Sequence, residues 1–388
     1  MALIEIPLEK MAGFVRGAIS VTRTPAGILP LRLPEWAWSQ VPDALTRELF
    51  RMAAGVRLAL TTEATALEVD VAATRMSFAD FDFTAFPVVF DLLVDGRDQA
   101  QQPIDRLADR TFNLEGDLLG ESQPVVVTLR FDGLPGDQKN LELWFPANTV
   151  VELRALRADA PLQVPQETRP RWIHYGSSIS HGMEAHSPTG TWPAIAARLA
   201  DVELLSLGVA GQCHLDPFVA RAIRDTPAAC ISLKVGINIA EADTLKYRTF
   251  VPAVHGFLDT VREGHPDAPI LVISPIICPM LEDSAGPVAL AGGGPVHSAG
   301  ERLGKNALSM RRMRETLKEI VDVRAADDQG LYYLDGLHLF GEGDIDELPD
   351  GVHPSPAGYV RIGERFAATA FTSPGCFADT SAAATTAD

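Results

Sequence analysis

Apolar and polar positions follow two different rhythms along this 388-residue chain, and the change falls near residue 165. In the first part, short apolar runs stand at VRLAL (56–60), ALEVDVA (66–72), PVVFDLLVDG (87–96), PVVVTLRF (124–131) and NLELWFP (140–146). ALEVDVA and VTLRF alternate apolar with polar residues, the period-2 pattern of a half-buried antiparallel strand. Turn-forming stretches such as FDGLPGDQKN (131–140) separate the runs. Several short strands spaced in this way predict a β-sandwich of the jelly-roll kind. Ahead of them, 34–53 predicts a helix with Asp43 as a cap, and VPQETRPR (164–171) reads as a linker.

Beyond the linker the rhythm becomes strand, loop, helix. RWIHY (171–175), VELLSL (202–207), ACISLKV (229–235), PILVIS (269–274) and LYYLD (331–335) are brief apolar runs. Amphipathic stretches lie between them at 191–200, 216–224, 244–264 and 301–325, and a last one spans 355–371. Such alternation predicts a doubly wound α/β domain with a five-stranded parallel sheet. Ligands bind outside the carboxyl ends of strands in such sheets, so functional residues are expected just after the apolar runs. The expected division is a β-sandwich domain over 1–165, an α/β domain over 166–372 and a flexible tail over 373–388. The Gly- and Pro-rich stretch 281–300 is too long for a plain connection and reads as a mobile flap or a surface insertion.

Composition narrows the function. Thirty-three basic against fifty-one acidic residues give a net charge of −18, which repels polyanions and argues against nucleic acid or an anionic membrane as partner. No apolar run approaches the roughly 20 residues of a membrane span. The first residues lack the pattern of a secretory signal, so the cytoplasm is the expected location. Cys213, Cys230, Cys278 and Cys376 are widely spaced and read as reduced thiols, not as a disulfide framework or zinc site.

Four short segments carry candidate chemistry. HYGSSISHG (174–182) puts Ser178 in a Gly-flanked turn after a strand; serine needs a base to attack at neutral pH, and the same residues also suit an ordinary turn. DGVHPSPAGY (350–359) spaces Asp350 and His353 so that the carboxylate can hold one imidazole nitrogen while the other faces a serine. Its other reading is an exposed pair ahead of a helix capped by Ser355. LGVAGQ (207–212) offers the backbone N–H of Gly211, and KVGIN (234–238) the side chain of Asn238. With the N–H of Ser178 these would form a three-donor oxyanion hole, although either residue alone is commonly structural.

Taken in order, G-S-S-I, VAGQ, G-I-N and D-G-V-H-P over 171–371 resemble the four blocks of the SGNH, or GDSL-like, serine hydrolases. The resemblance implies that fold, which is flavodoxin-like, and a catalytic triad of Ser178, Asp350 and His353. It further implies an oxyanion hole of Ser178, Gly211 and Asn238, with no cofactor or metal. Ser177 stands where the family's GDSL aspartate would be, as in a GSS-type subgroup, and Ile239 follows Asn238 where many members have aspartate. FDLLVDG (90–96) resembles the β-sandwich preceding the hydrolase domain in that subgroup. The implied activity is hydrolysis of short-acyl esters of a small molecule or carbohydrate. The alternatives are an acyltransferase with the same triad or a non-catalytic carbohydrate-binding protein. Oligomeric state is not legible.

Other features carry less. The G-x-S-x-G nucleophile pattern fails because Ser180 occupies the place of its second glycine. His181, His186, His214 and Asp216 match no usual metal-ligand spacing and are read as pocket-lining or capping residues. GEGDIDELPD (341–350) lacks a calcium-loop series and reads as a solvated loop. Trp36, Trp38 and Trp144 read as core residues before they read as sugar-stacking platforms.

Overall fold

All five apolar runs of the second part become parallel strands in the computed structural model, which describes residues 3–79, 86–113, 115–291, 294–297 and 306–382. They are β1 (Arg171–Gly176), β2 (Glu203–Gly208), β3 (Cys230–Lys234), β4 (Ile270–Ile273) and β5 (Leu331–Leu334), in the sheet order β2-β1-β3-β4-β5. Every neighbouring pair is parallel, with Trp172 opposite both Leu204 and Cys230. The first four strands are buried along their whole length apart from Arg171, which is why they read as continuous apolar runs and not as alternating ones.

The helices of this unit include α1 (Ser178–His181), α2 (Trp192–Ala200), α3 (Pro217–Arg224), α4 (Ile237–Glu241), α5 (Tyr247–Gly264), α6 (Met310–Arg324), α7 (Gly336–Leu339) and α8 (Pro356–Phe366). Successive side chains of a strand point to opposite faces, and β1 displays both coverings. Trp172 stacks on Phe366 of α8 with ring centres 5.1 Å apart, and His174 meets Trp192 of α2 at 4.6 Å. Tyr175 instead stacks on Phe257 of α5 at 5.5 Å. Helices therefore cover both faces of the sheet. Each fully buried large apolar side chain here contributes about 1.5–3 kcal/mol relative to exposure.

The segment after α8 departs from expectation. Ala367–Phe371 continues as one π-helical turn, and Phe377 is buried against Phe371, its N–H donating to the Ala370 carbonyl at 2.8 Å. A buried aromatic anchors the first half of the stretch expected to be a flexible tail. Residues 383–388 lie outside the described residues. Part of 281–300 forms an antiparallel hairpin, Val288–Ala291 with Gly294–His297; residues 292–293 and 298–305 lie outside the described residues, including the start of the helix expected over 301–325.

The other unit comprises Met1–Thr168 and the short segment His186–Thr189, and the second one Arg169–Ala185 with Gly190–Asp388. In the first, an eight-stranded sheet is built around Ala66–Phe78, and a six-stranded one around Arg57–Thr62 and Lys139–Trp144. Leu67, Val69, Val71 and Leu153 of the larger sheet share one apolar cluster with Leu58, Leu60, Phe90 and Leu143 of the smaller. The larger sheet is not wholly antiparallel as expected, because Ala66–Phe78 pairs in parallel with Ala108–Phe112. The helix expected over 34–53 splits into a 3-10 turn, Glu35–Gln40, and a helix, Ala44–Arg51, whose cap Asp43 accepts the Thr46 N–H at 2.6 Å. Buried Asp91 gathers in His186–Thr189: one of its oxygens accepts the Ser187 and Thr189 hydroxyls, each at 2.6 Å, and the Thr189 N–H at 3.0 Å. Trp144 is buried under the Arg57 guanidinium, whereas Trp36 is 40% exposed. Among the described residues no helix is long and apolar enough to cross a membrane.

Candidate active site

With the order β2-β1-β3, the chain leaves β1 in one direction and returns on its other side. The switch point of the sheet thus lies between β1 and β3 at their carboxyl ends, where α/β sheets open a crevice. Ser178 follows β1, Gly211 follows β2 and Asn238 follows β3. The short helix α1 can press against the strand ends because Gly176 and Gly208 lack side chains. A Cβ at Gly208 would lie 2.5 Å from the His181 nitrogen, and one at Gly176 2.3 Å from Ser180 Oγ. This close approach fixes Ser178, 7% exposed, at the head of α1.

The candidate base, His353, comes from the loop before α8. Gly351 adopts φ +80°, a conformation that costs glycine little. The turn lets Asp350 Oδ1 accept the backbone N–H groups of Val352 at 2.8 Å and His353 at 2.7 Å. Asp350 Oδ2 lies 2.6 Å from His353 Nδ1, and His353 Nε2 lies 2.8 Å from Ser178 Oγ. In the neutral ring, Nδ1–H donates to the carboxylate and Nε2 is left to accept the serine hydroxyl. Burial raises the Asp350 carboxyl, but the hydrogen bonds and charge of His353 and the Val352 N–H outweigh it and hold the group at about 2. Burial likewise lowers His353, yet the carboxylates of Glu184, Asp350 and Glu241 bring it up to about 9.

The loop is itself braced. Ser355 caps α8 by accepting the Gly358 N–H at 3.1 Å and donates its hydroxyl to Glu347. Asp344 accepts from Arg361 at 2.7 Å, Arg365 at 2.6 Å and the Gly341 N–H at 2.9 Å. The acidic stretch 341–350 is therefore not simply solvated: it folds as a 3-10 turn, Glu342–Glu347, with Asp344 buried.

Asn238 lies in the first turn of α4. Its Oδ1 accepts the Cys213 backbone N–H at 3.1 Å, and its Nδ2 lies 3.4 Å from Glu241 Oε2. Cys213 is two residues beyond Gly211, so this bond ties the loop after β2 to the head of α4. Gly211 takes φ +68°, and its carbonyl oxygen lies 3.1 Å from His214 Nε2.

The neighbouring serines are differently placed. Ser180 Oγ lies 2.8 Å from His174 Nε2, and His174 Nδ1 lies 2.7 Å from Ser232 Oγ, which also accepts the Trp172 indole N–H at 2.8 Å. All four residues are buried, and burial, with the charge of Lys234, drives His174 down to about 3. This Ser–His contact is a neutral internal strut closed to substrate. Ser177 Oγ is buried with no hydrogen-bond partner among the described residues. His181 Nδ1 accepts the Ala210 N–H at 3.2 Å, His214 Nδ1 lies 3.0 Å from Thr244 Oγ1, His186 is exposed, and Asp216 occupies the N-cap position of α3 without a side-chain cap bond. Among the described residues no three His, Cys, Asp or Glu side chains group as a metal site, and the four cysteines are free.

Three residues near His353 have no sequence signal. Glu184 Oε1 lies 3.9 Å from His353 Nε2, Tyr359 donates its hydroxyl to Glu184 Oε2 at 2.8 Å, and Glu241 is raised by burial although His353 opposes the shift. Glu184 and Tyr359 lie six residues after Ser178 and His353 respectively, but no local pattern joins them.

The sequence model of the GDSL-like Lipase/Acylhydrolase family matches residues 170–278, a stretch that holds Ser178, Gly211 and Asn238. No curated protein matches the chain. Among solved structures, a salicylyl-acyltransferase, SsfX3, from a tetracycline biosynthetic pathway is 29% identical with a TM-score of 0.75, covering 90% of this chain and 92% of its own. A protein from Bacteroides ovatus described as a GDSL-like lipase is 19% identical with a TM-score of 0.64, covering 94% and 96%. A family two carbohydrate esterase from Clostridium thermocellum is 16% identical with a TM-score of 0.55, covering 82% and 92%.

Proposed function

We propose, from an α/β unit that belongs to the SGNH, or GDSL-like, hydrolases, that this chain cleaves short-acyl esters through an acyl-enzyme on Ser178. The observation that carries the reading is the unbroken line of contacts from Asp350 through His353 to Ser178 Oγ. Ser178 Oγ attacks the ester carbonyl and passes its proton to His353 Nε2, while Asp350 stabilises the imidazolium. The negative charge moves to the carbonyl oxygen, where the N–H groups of Ser178 and Gly211 and the Asn238 amide receive it. Collapse expels the alcohol, which takes the proton from His353. Water, deprotonated by the same ring, then releases the acid. The substrate class, a small-molecule or carbohydrate ester, is proposed by analogy with the family.

A second reading is acyl transfer, with an alcohol taking the place of water in the last step. It is favoured by the likeness to the salicylyl-acyltransferase along 90% of the chain. Mass analysis of products from a chromogenic acetyl ester, with and without added alcohols, separates the two: free acid throughout supports hydrolysis, and a new ester supports transfer. The two N-terminal sheets are read as a β-sandwich, supported by the single apolar cluster that draws on both.

A further inference from the structure

Glu184 has no part in the steps above, yet one of its oxygens stands 3.9 Å from the nitrogen that would receive the serine proton. Its other oxygen is held by the Tyr359 hydroxyl at 2.8 Å. Tyr359 is fully buried in the first turns of α8, the helix that follows the His353 loop. Burial and the Glu184 charge keep that phenol far above its ordinary pKa, so it remains a donor and can grip a carboxylate. The helix that begins beside His353 thus reaches back and fixes an anion against His353 itself. The charged groups facing the ring are Asp350 from its own loop, Glu184 from the segment after α1 and Glu241 from the end of α4.

We propose that Glu184, gripped by Tyr359, is a positioning residue that stabilises the His353 imidazolium through its charge. This rests on the reading of His353 as the base. As the Ser178 Oγ–carbon bond forms, the proton moves to Nε2 and the carbonyl electron pair moves to oxygen. Positive charge then appears beside Glu184. The same carboxylate stabilises the resting imidazolium, so stronger base action at high pH comes with fewer neutral rings at low pH.

The test is an NMR titration of the His353 ring in the wild-type protein, Glu184→Gln and Tyr359→Phe, together with kcat/KM from pH 5.5 to 10. Removing the charge is expected to lower the His353 midpoint by about one unit, and Tyr359→Phe by less. In Glu184→Gln, kcat/KM at pH 6 then rises up to about tenfold, while its plateau at high pH falls. A purely structural role would lower kcat/KM by one factor at every pH and leave the midpoint in place. Activity retained by His353→Ala would contradict the underlying base assignment, whereas the titration reads Glu184 without any turnover. Tyr359→Phe gives a second reading should Glu184→Gln fold poorly. A His353 midpoint that is the same in wild type and in the folded variants overturns the proposal.

Discussion

The backbone N–H of Cys213 donates to Asn238 Oδ1 at 3.1 Å. Because only the oxygen end of a carboxamide accepts a hydrogen bond, this donor assigns the two ends of the Asn238 amide and leaves the Nδ2 hydrogens for other acceptors. One of them faces Glu241 Oε2 at 3.4 Å, too long for a strong bond. Asn238→Ala is therefore expected to lower kcat by roughly 10²–10³-fold with little change in KM, the cost of one oxyanion donor. Steady-state kinetics on a chromogenic ester check this; a large rise in KM at constant kcat would make Asn238 a ground-state binding residue.

The Asp350–His353 pair sets opposite pH dependences for activity and stability. Burial lowers His353, but the surrounding carboxylates raise it from 6.5 to about 9, and only the neutral ring can accept the serine proton. For the free enzyme kcat/KM should rise about tenfold per pH unit between 6.5 and 8.5, then level off above 9. The folded value exceeds the unfolded one, so the ring's charge stabilises fully below pH 6.5. That contribution is lost as pH rises through about 9. Thermal midpoints measured over this window should fall as kcat/KM climbs; flat curves for both would contradict the charge assignment.

Ser180→Ala separates the buried strut from Ser178, the proposed nucleophile. The substitution leaves His174 Nε2 without its partner at 2.8 Å in a buried site, which costs about 1–3 kcal/mol. Denaturant unfolding should register that loss while labelling by a fluorophosphonate remains complete. Absent labelling in a folded Ser180→Ala protein would shift the nucleophile away from Ser178.

The Asp344 cluster predicts an acid-labile brace behind the His353 loop. Burial raises this carboxyl, but Arg365, the Gly341 N–H and Arg361 outweigh it and hold it at about 2. Its folded value is below the ordinary 3.8, so the stabilisation is present above pH 3.8 and lost as pH falls through about 2. Asp344→Ala should destabilise the protein by about 1–3 kcal/mol at pH 7, and the deficit relative to wild type should shrink in acid. An equal deficit at pH 7 and at pH 2.5 would exclude this electrostatic account.

What the sequence made legible follows burial. Strands β1 to β4 are buried nearly throughout and announced themselves as apolar runs. Arg97–Pro103, with the sequence RDQAQQP, is exposed along most of its length and is a strand only because Val89–Val94 pairs with it. Thr149–Ala158 pairs with three strands and is mostly buried, so it shows no clean alternation. Its Leu, Arg, Ala and Glu residues favour helix locally, and long-range pairing with Ala66–Phe78 decides the outcome. In the candidate site, Ser178, Asp350 and His353 were picked out by the joint order of their segments along the chain, each segment alone also suiting an ordinary turn or loop. Glu184 and Tyr359 meet across 175 positions, and no spacing rule reaches that far. The anchoring of Ser187 and Thr189 by Asp91 was hidden for the same reason.

Ser178, and no neighbouring serine, is proposed to form the covalent intermediate. Peptide mass mapping after reaction with a fluorophosphonate probe tests this most directly, using wild-type protein and Ser178→Ala side by side. The expected result is one adduct per chain on Ser178 in the wild type and none in the variant, whose unfolding midpoint stays close to the wild-type value. Full labelling of Ser178→Ala, on Ser177, Ser180 or any other residue, would contradict it.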